Sequence, residues 1–458
     1  MIATALAAPR REASAVVRGR LAFGFTRRTL LLLLSGTLLL APAFFVPGLV
    51  WAILLWNTLV LVLSILDGMR LPAPARIKAS RTWISAASIG NLVEVELSIL
   101  QQGTVPLLIT AIDDLDSAFV ETPQSLACKA YPNLNVQMRY SFVPRARGDH
   151  EAGRLFLRYR SSLGLVERWA MADLMQTVRI YPAIRPSDQD ELFLMQNRQF
   201  SLELRRRKQR GLGRDFQSLR EYRDGDDLRD ICWTAAARRG MLVSKQYEIE
   251  RSQPVWVVMD AGRLLQARVG ERTKLDYSAT AALALARLAM VSGDRVGLLA
   301  YGRDIQQRVG LGKGASHLRQ LMESLALVQG ESGEADHLKA SVTLNRMQPR
   351  RCLTLWLTDL AETAMRPEVI DGAMLLLRRH LVLFVAIEQT DLTQVAASRP
   401  STAEEMFERA AAQELVERRE LLLAKLREQG ALTLETTPQQ MTTALLNRYL
   451  EVKERALI

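Results

Sequence analysis

GLGRDFQSLREYRDGDDLRDICWTAAARRG (residues 211–240), LVSKQYEIERSQ (242–253) and PVWVVMDAG (254–262) make up the stretch on which the 458-residue chain turns. Asp224-Gly225-Asp226-Asp227 reads as a turn feeding a helix, since glycine admits positive φ and either aspartate caps free N–H groups. Arg238 and Arg239 fall in the last turn of that helix, where cations suit the dipole, and Gly240 stops it. Residues 255–259 then form an unbroken apolar run closed by Asp260. That is the pattern of a buried parallel strand delivering a polar residue to the carboxyl end of an α/β sheet.

Downstream, strands and helices alternate. Helices are expected over 278–291, 316–327, 337–347, 367–379, 403–428 and 439–453. Strands are expected over 294–301, 352–357, 381–387 and 431–435, with a short edge near 308–310. This order predicts βαβ units and a parallel sheet covered on both faces, an α/β domain over 254–458. The second apolar strand ends in Thr358-Asp359, so two aspartates, Asp260 and Asp359, stand at strand ends.

Upstream of a polar linker and the central stretch (187–253), the period shortens to two. Residues 92–99, 136–142, 155–159 and 178–181 alternate, with Gly, Pro, Asp and Asn between them, predicting a small antiparallel β-sandwich over 71–186. Its arginines and glutamates read as the solvated face.

Residues 29–66 carry no charge at all. A single membrane span needs about 20 residues, so this run is nearly long enough for two, with Pro42, Pro47 and Gly48 where a hairpin would turn. The segment 1–28 is a basic leader (Arg10, Arg11, Arg18, Arg20, Arg27, Arg28), and Arg70, Arg76, Lys78 and Arg81 follow the second half. Positive flanks on both sides place both ends in the cytoplasm, so the chain is expected at the inner (plasma) membrane with its bulk cytoplasmic. Cleavage at Ala41-Pro42-Ala43 would need a shorter leader, and a single kinked span would leave the second basic flank on the wrong side.

Composition agrees with a membrane protein: 48% hydrophobic residues, and 60 Lys+Arg against 49 Asp+Glu for a net +11. The basic excess is read as flanking a bilayer rather than gripping nucleic acid, because the one dense run, RRRKQR at 205–210, has no recognition motif beside it. Three scattered cysteines and four histidines show neither disulfide nor zinc spacing. No GxSxG elbow, P-loop or HExxH is present, and Gly310-Leu311-Gly312-Lys313-Gly314 reads as a tight turn.

The spaced pattern Leu219, Arg220, Tyr222, Gly225, Asp226, Arg229, Ile231, Trp233, Ala237 and Arg238, followed by a hydrophobic strand ending in Asp, resembles the bacterial family called domain of unknown function 58. The C-terminal half of that family is similar to a von Willebrand factor A (vWA) domain. Cys232 and Thr234 depart from the family pattern, each with loss of a charge. The resemblance implies a membrane-anchored adaptor for a MoxR-type AAA+ ATPase in assembling or activating envelope complexes, without enzymatic activity or cofactor.

In vWA domains with a metal site the first strand ends D-x-S-x-S. Here it reads Asp260-Ala261-Gly262-Arg263-Leu264, and Ala335 stands where a threonine is wanted. Only Asp260 and Asp359 of the ligand set remain, a degenerate site in which Arg263 is expected to neutralise Asp260. The alternative is a metal-dependent hydrolase or phosphatase using Asp260 and Asp359, with Glu334 or Asp336 as a substitute ligand. For the signature residues two readings stand. Either Tyr222, Asp226, Arg229 and Trp233 fasten the helix to the sheet, or the surface docks a partner, with Trp233 buried all the same and Arg220, Arg229 or Arg238 keeping exposed guanidiniums.

Overall fold

Period-two burial builds the first of two units, residues 1–183 and 184–458, of a computed structural model that describes residues 12–17, 23–38, 46, 48–183, 215–223, 230–248, 252–360, 368–388 and 390–455. Its elements are β1 (Glu12–Val16), β2 (Phe23–Phe25), helices α1 (Arg27–Thr37) and α2 (Leu49–Arg70), then β3 (Ile77–Trp83), β4 (Val93–Gln101), β5 (Leu107–Leu115), β6 (Ser125–Ala130), β7 (Asn135–Phe142), β8 (Gly148–Ser161), β9 (Val166–Ala172) and β10 (Gln176–Ile180). Two antiparallel sheets form, ordered β1-β3-β4-β7 and β2-β9-β8-β5-β6, with β10 on β8. β4 shows why: Val93, Val95, Leu97 and Ile99 point inward while Glu94, Glu96 and Ser98 do not. Leu97 and Ile99 pack with Ile77, Ile109, Leu155, Leu157 and Tyr159, and Val93 and Val95 with Trp83, Phe119 and Phe142.

Two expectations change here. The described parts of the expected leader 1–28 belong to the sandwich: β1 pairs with β3 and β2 with β9, an edge strand for each sheet. The sandwich arginines are not all solvated either. Arg81 is fully buried, and its Nε donates to Asp113 Oδ2 at 2.9 Å, with further bonds to the Leu174 and Gly153 carbonyls. Tyr140 adds a hydroxyl to the same carboxylate. The pair joins β3 of one sheet to β5 of the other, and only such full satisfaction makes two interior charges tolerable.

α1 and α2 are interposed between β2 and β3, and they pack on each other. A Cβ on Gly36 would lie 2.5 Å from Trp56 Cδ1, so only glycine allows this approach. Trp56 Nε1 donates to the Leu32 carbonyl at 2.9 Å. Among the described residues α2 is the one helix long and apolar enough to cross a membrane. The expected turn at Pro42 and Pro47 lies outside the described residues. At their feet both helices grip the β8–β9 turn. Thr26 and Thr29 hydroxyls donate to the Gly164 and Leu165 carbonyls at 2.5 Å, and Asp67 accepts the Leu165 and Val166 amides at 3.0 and 3.3 Å and the Ser161 hydroxyl.

The second unit opens with a small antiparallel pair, β11 (Asp215–Glu221) and β12 (Val243–Glu248), bridged by helix α3 (Trp233–Arg239). The main sheet follows: β13 (Pro254–Asp260), a two-rung hairpin β14 (Arg268–Val269) and β15 (Arg272–Thr273), α4 (Lys274–Val291), β16 (Arg295–Tyr301), β17 (Ile305–Gly312), α5 (Ala315–Leu327), α6 (His337–Met347), β18 (Leu353–Thr358), α7 (Glu368–Leu377), β19 (Leu381–Ile387), α8 (Thr390–Ala397), α9 (Ala403–Glu428), β20 (Leu432–Thr436) and α10 (Met441–Glu454). Its order, β17-β16-β13-β18-β19-β20, is that of a doubly wound sheet with the first strand central, and only β17 runs antiparallel. That is the α/β architecture the sequence predicts. β17 is longer than the expected edge, α4 begins a turn early because Thr273 and Asp276 form a capping box, and α8 is an addition. Trp256, Trp356, Phe384 and Leu344 sit in one core. The linker helix expected within 188–210 and the run 205–210 lie outside the described residues.

Candidate functional site

Asp260 and Asp359 come together at the carboxyl ends of neighbouring strands β13 and β18, and both are buried. Asp260 Oδ1 accepts the Gly262 amide and Oδ2 the Thr358 hydroxyl, each at 2.7 Å. Burial holds the Asp260 carboxyl above its usual range, opposed chiefly by the charge of nearby His337. Burial in turn lowers His337, whose Nδ1 meets the Tyr301 hydroxyl at 2.8 Å.

Asp359 is held by two cations of the chain itself. Lys274 Nζ, on the first turn of α4, donates to Oδ2 at 2.6 Å, and an Arg419 terminal nitrogen, from the middle of α9, donates to Oδ1 at 3.0 Å. Leu360 N completes Oδ1 at 2.9 Å. Arg419 is itself fixed by Glu435 and the Ile387 carbonyl, at 2.6 and 2.7 Å. Arg263, expected beside Asp260, reaches away instead: its guanidinium lies 3.7 Å from Glu334, and both side chains are exposed. Asp336 caps α6 through the Lys339 amide.

These residues do not fit a divalent ion. All four carboxylate oxygens already accept a hydrogen bond, and one of them faces an ammonium at 2.6 Å. Ala335 is packed against Gly262 so closely that a Cβ there would meet Ala335 N at 2.9 Å. Among the described residues no group of three or more His, Cys, Asp or Glu is placed to hold a metal. A hydrolase built on Asp260 and Asp359 would first have to displace these bonds, those from Lys274 and Arg419 included.

The amino ends of the same strands carry a row no sequence signal marks. Cys352 Sγ lies 3.2 Å from His380 Nδ1, and His380 Nε2 lies 3.0 Å from Asn345 Oδ1. A nucleophile, a base and an orienting amide can be lined up this way, but thiol and imidazole are both buried. Burial pushes the thiol up to about 11 and the imidazole down to about 4, so the pair is neutral and works as a fastener.

The signature segment is built from backbone pairing. Tyr222 N donates to Leu242 O at 2.9 Å and Cys232 N to Val243 O at 2.8 Å. α3 ends at Arg239 and Gly240 stops it with φ 66°. Trp233, expected to be buried, is 67% exposed on the first turn of α3; Arg238 and Arg239 are exposed in its last turn, and Met241 and Leu242 are exposed just after it. The helix is too short to bury its first turn, and Ile231 and Val243 fill the interior in its place. Arg220 and Tyr222 are half-buried; Gly225, Asp226 and Arg229 lie outside the described residues.

Residues 218–400 match the family model described as "Protein of unknown function DUF58", so the resemblance read from the signature residues is borne out. Among curated proteins, "Uncharacterized protein YeaD" of Bacillus subtilis (strain 168) is 22% identical over 262 residues, covering 54% of this chain and 60% of that protein. "Uncharacterized protein Rv1480" of Mycobacterium tuberculosis (strain ATCC 25618 / H37Rv) is 26% identical over 172 residues, covering 35% of this chain and 54% of that protein. The chain thus spans little more than half the length of the curated relatives it matches. Among solved structures, an aerotolerance-related membrane protein from Bacteroides fragilis NCTC 9343 covers 44% of this chain over its full length, at 12% identity and TM-score 0.27. The conserved hypothetical protein BatB from Bacteroides thetaiotaomicron covers 45% over its full length, at 11% identity and TM-score 0.28.

Proposed function

We propose that the protein is a membrane-anchored, cytoplasm-facing scaffold whose signature module docks a MoxR-type AAA+ ATPase through an acidic patch on that partner. The observation that carries this reading is Trp233: a tryptophan 67% exposed, on a short helix that also exposes Arg238 and Arg239, has the composition of an interface anchor rather than of a core. The chain's net charge of +11 favours an acidic partner. The α/β domain serves as the body on which the module is carried, with Asp260 and Asp359 tied into its framework.

Co-purification from detergent-solubilised membranes tests it. Trp233→Ala and Arg238→Glu are each expected to release the ATPase while the melting temperature stays within a few degrees of the parent. An ATPase retained by both variants, or absent from the parent sample, would refute the docking.

A further inference from the structure

The β8–β9 turn, residues 162–165, is wedged between the feet of α1 and α2 by Thr26, Thr29 and Asp67. The span of α2 sets the level at which that happens. Its 22 residues include an uncharged run that ends at Asp67, and such a helix rises about 1.5 Å per residue against a hydrocarbon layer about 30 Å thick. A helix that crosses the bilayer therefore brings Asp67 to the boundary of the hydrocarbon, and the turn comes with it.

The turn is dressed for that boundary. Leu163 at its tip is 55% exposed. Arg28 and Arg160 both lie against it, their nearest atoms 3.6 and 3.7 Å from the place a Cβ on Gly164 would take. Arg27 and Arg70 are exposed at the helix ends, and Phe25 is exposed on β2. The β6–β7 tip, joined to the same end of the sandwich by the Asn133 amide on the Gln101 carbonyl, adds exposed Tyr131 and Leu134. Apolar tips ringed by guanidiniums match the headgroup layer of a bilayer containing anionic phospholipid.

We infer that this turn is a third membrane contact beside the two helices: Leu163 seats in the headgroup layer, and Arg27, Arg28, Arg70 and Arg160 bind the phosphates of anionic lipid. The inference rests on the membrane reading proposed above. It adds that the sandwich lies directly on the lipid rather than at the end of a tether, and that lipid charge holds it there.

The experiment uses the full chain with Cys128→Ser and Cys232→Ser, reconstituted in vesicles of phosphatidylcholine alone or mixed with phosphatidylglycerol. An environment-sensitive fluorophore is placed at Leu163→Cys, or at Leu92→Cys on the opposite end of the sandwich. Iodide in solution and a headgroup-labelled quencher lipid are compared. The expected result is severalfold less iodide quenching at Leu163 than at Leu92, strong lipid quenching at Leu163 only, and more of it in the anionic vesicles. Arg28→Glu and Arg160→Glu are each expected to weaken the lipid contact about fivefold. Iodide quenching equal at both positions, in protein that resists alkaline extraction, overturns the contact and leaves the anchor standing. Lipid quenching indifferent to phosphatidylglycerol and to both arginine variants overturns the binding of anionic lipid. Extraction of the protein by alkali removes the anchor itself, and the inference with it.

Discussion

Trp233 and Asp359 carry opposite consequences for single substitutions. Trp233 is already in solvent, so Trp233→Ala is expected to change stability by no more than about 0.5 kcal/mol. Chemical denaturation of the parent and variant checks this. Asp359→Asn leaves Lys274 buried without its counter-charge and Arg419 with Glu435 alone, a loss of about 3–5 kcal/mol by the same measurement. Lys274→Met is expected to cost less, because Arg419 still answers the carboxylate. Mg²⁺ is expected to leave the parent melting temperature unchanged; a micromolar Mg²⁺ transition abolished by Asp260→Asn would contradict that. The sequence placed both aspartates at strand ends, because an apolar run closed by Asp is a local pattern; that the two strands are neighbours is a finding of the structure. It did not find their partners. Lys274 and Arg419 lie 85 and 60 positions from Asp359, and only the packing of α4 and α9 on the sheet brings them in.

Elements were legible in proportion to their length and contrast. β13, β18 and β19 are six or seven residues of nearly unbroken apolar chain, and α9 is 26 residues with a Thr402 cap, so each announces itself. β1 is five residues of small and acidic character and β2 only three, too few for a period to show. Their pairing partners lie far along the chain, and the run of arginines around them reads as a leader. The β19 foot offers a test at this scale, since His380 ties Asn345 of α6 to Cys352. The folded imidazole is lowered from 6.5 to about 4, mainly by burial and further by Arg379, so the folded state prefers it neutral. Its contribution is whole above pH 6.5 and is lost as pH falls towards 4, because the unfolded chain takes up the proton first. Melting temperatures of the parent are expected to fall across that window, and those of His380→Gln to fall less. The thiol raised to about 11 is expected to resist Ellman's reagent at neutral pH until the protein unfolds.

For the molecule as a whole, the helical pair begins after β2 and ends before β3, so both of its feet stand on one sandwich. In the proposed hairpin anchor such a pair enters and leaves a bilayer on the same side. A reporter fused after Ile458 that works only in the cytoplasm is accordingly expected to be active, and one that works only outside to be silent. The reverse pattern would exclude a hairpin. The arginine flanks lead to that expectation, whereas the attachment of the feet could not be read from them, because Thr26, Thr29 and Asp67 act through a turn nearly a hundred residues or more away.

The placement of β1 and β2 ahead of the helices also sets an order of events during synthesis. β1 waits for β3, which emerges only after both helices have been made, and β2 waits for β9, more than a hundred residues behind it. The sandwich therefore cannot close before the apolar helices have left the ribosome, and a late-closing sheet of such long-range pairs folds slowly. With the proposed anchor, membrane insertion has time to finish first. A nascent chain stalled before Val166 is expected to be inserted yet protease-sensitive throughout its cytoplasmic part, and one stalled well past Ile180 to be resistant. The ribosome, by its direction of travel, would see to it that the anchor is set before the body that stands on it is built.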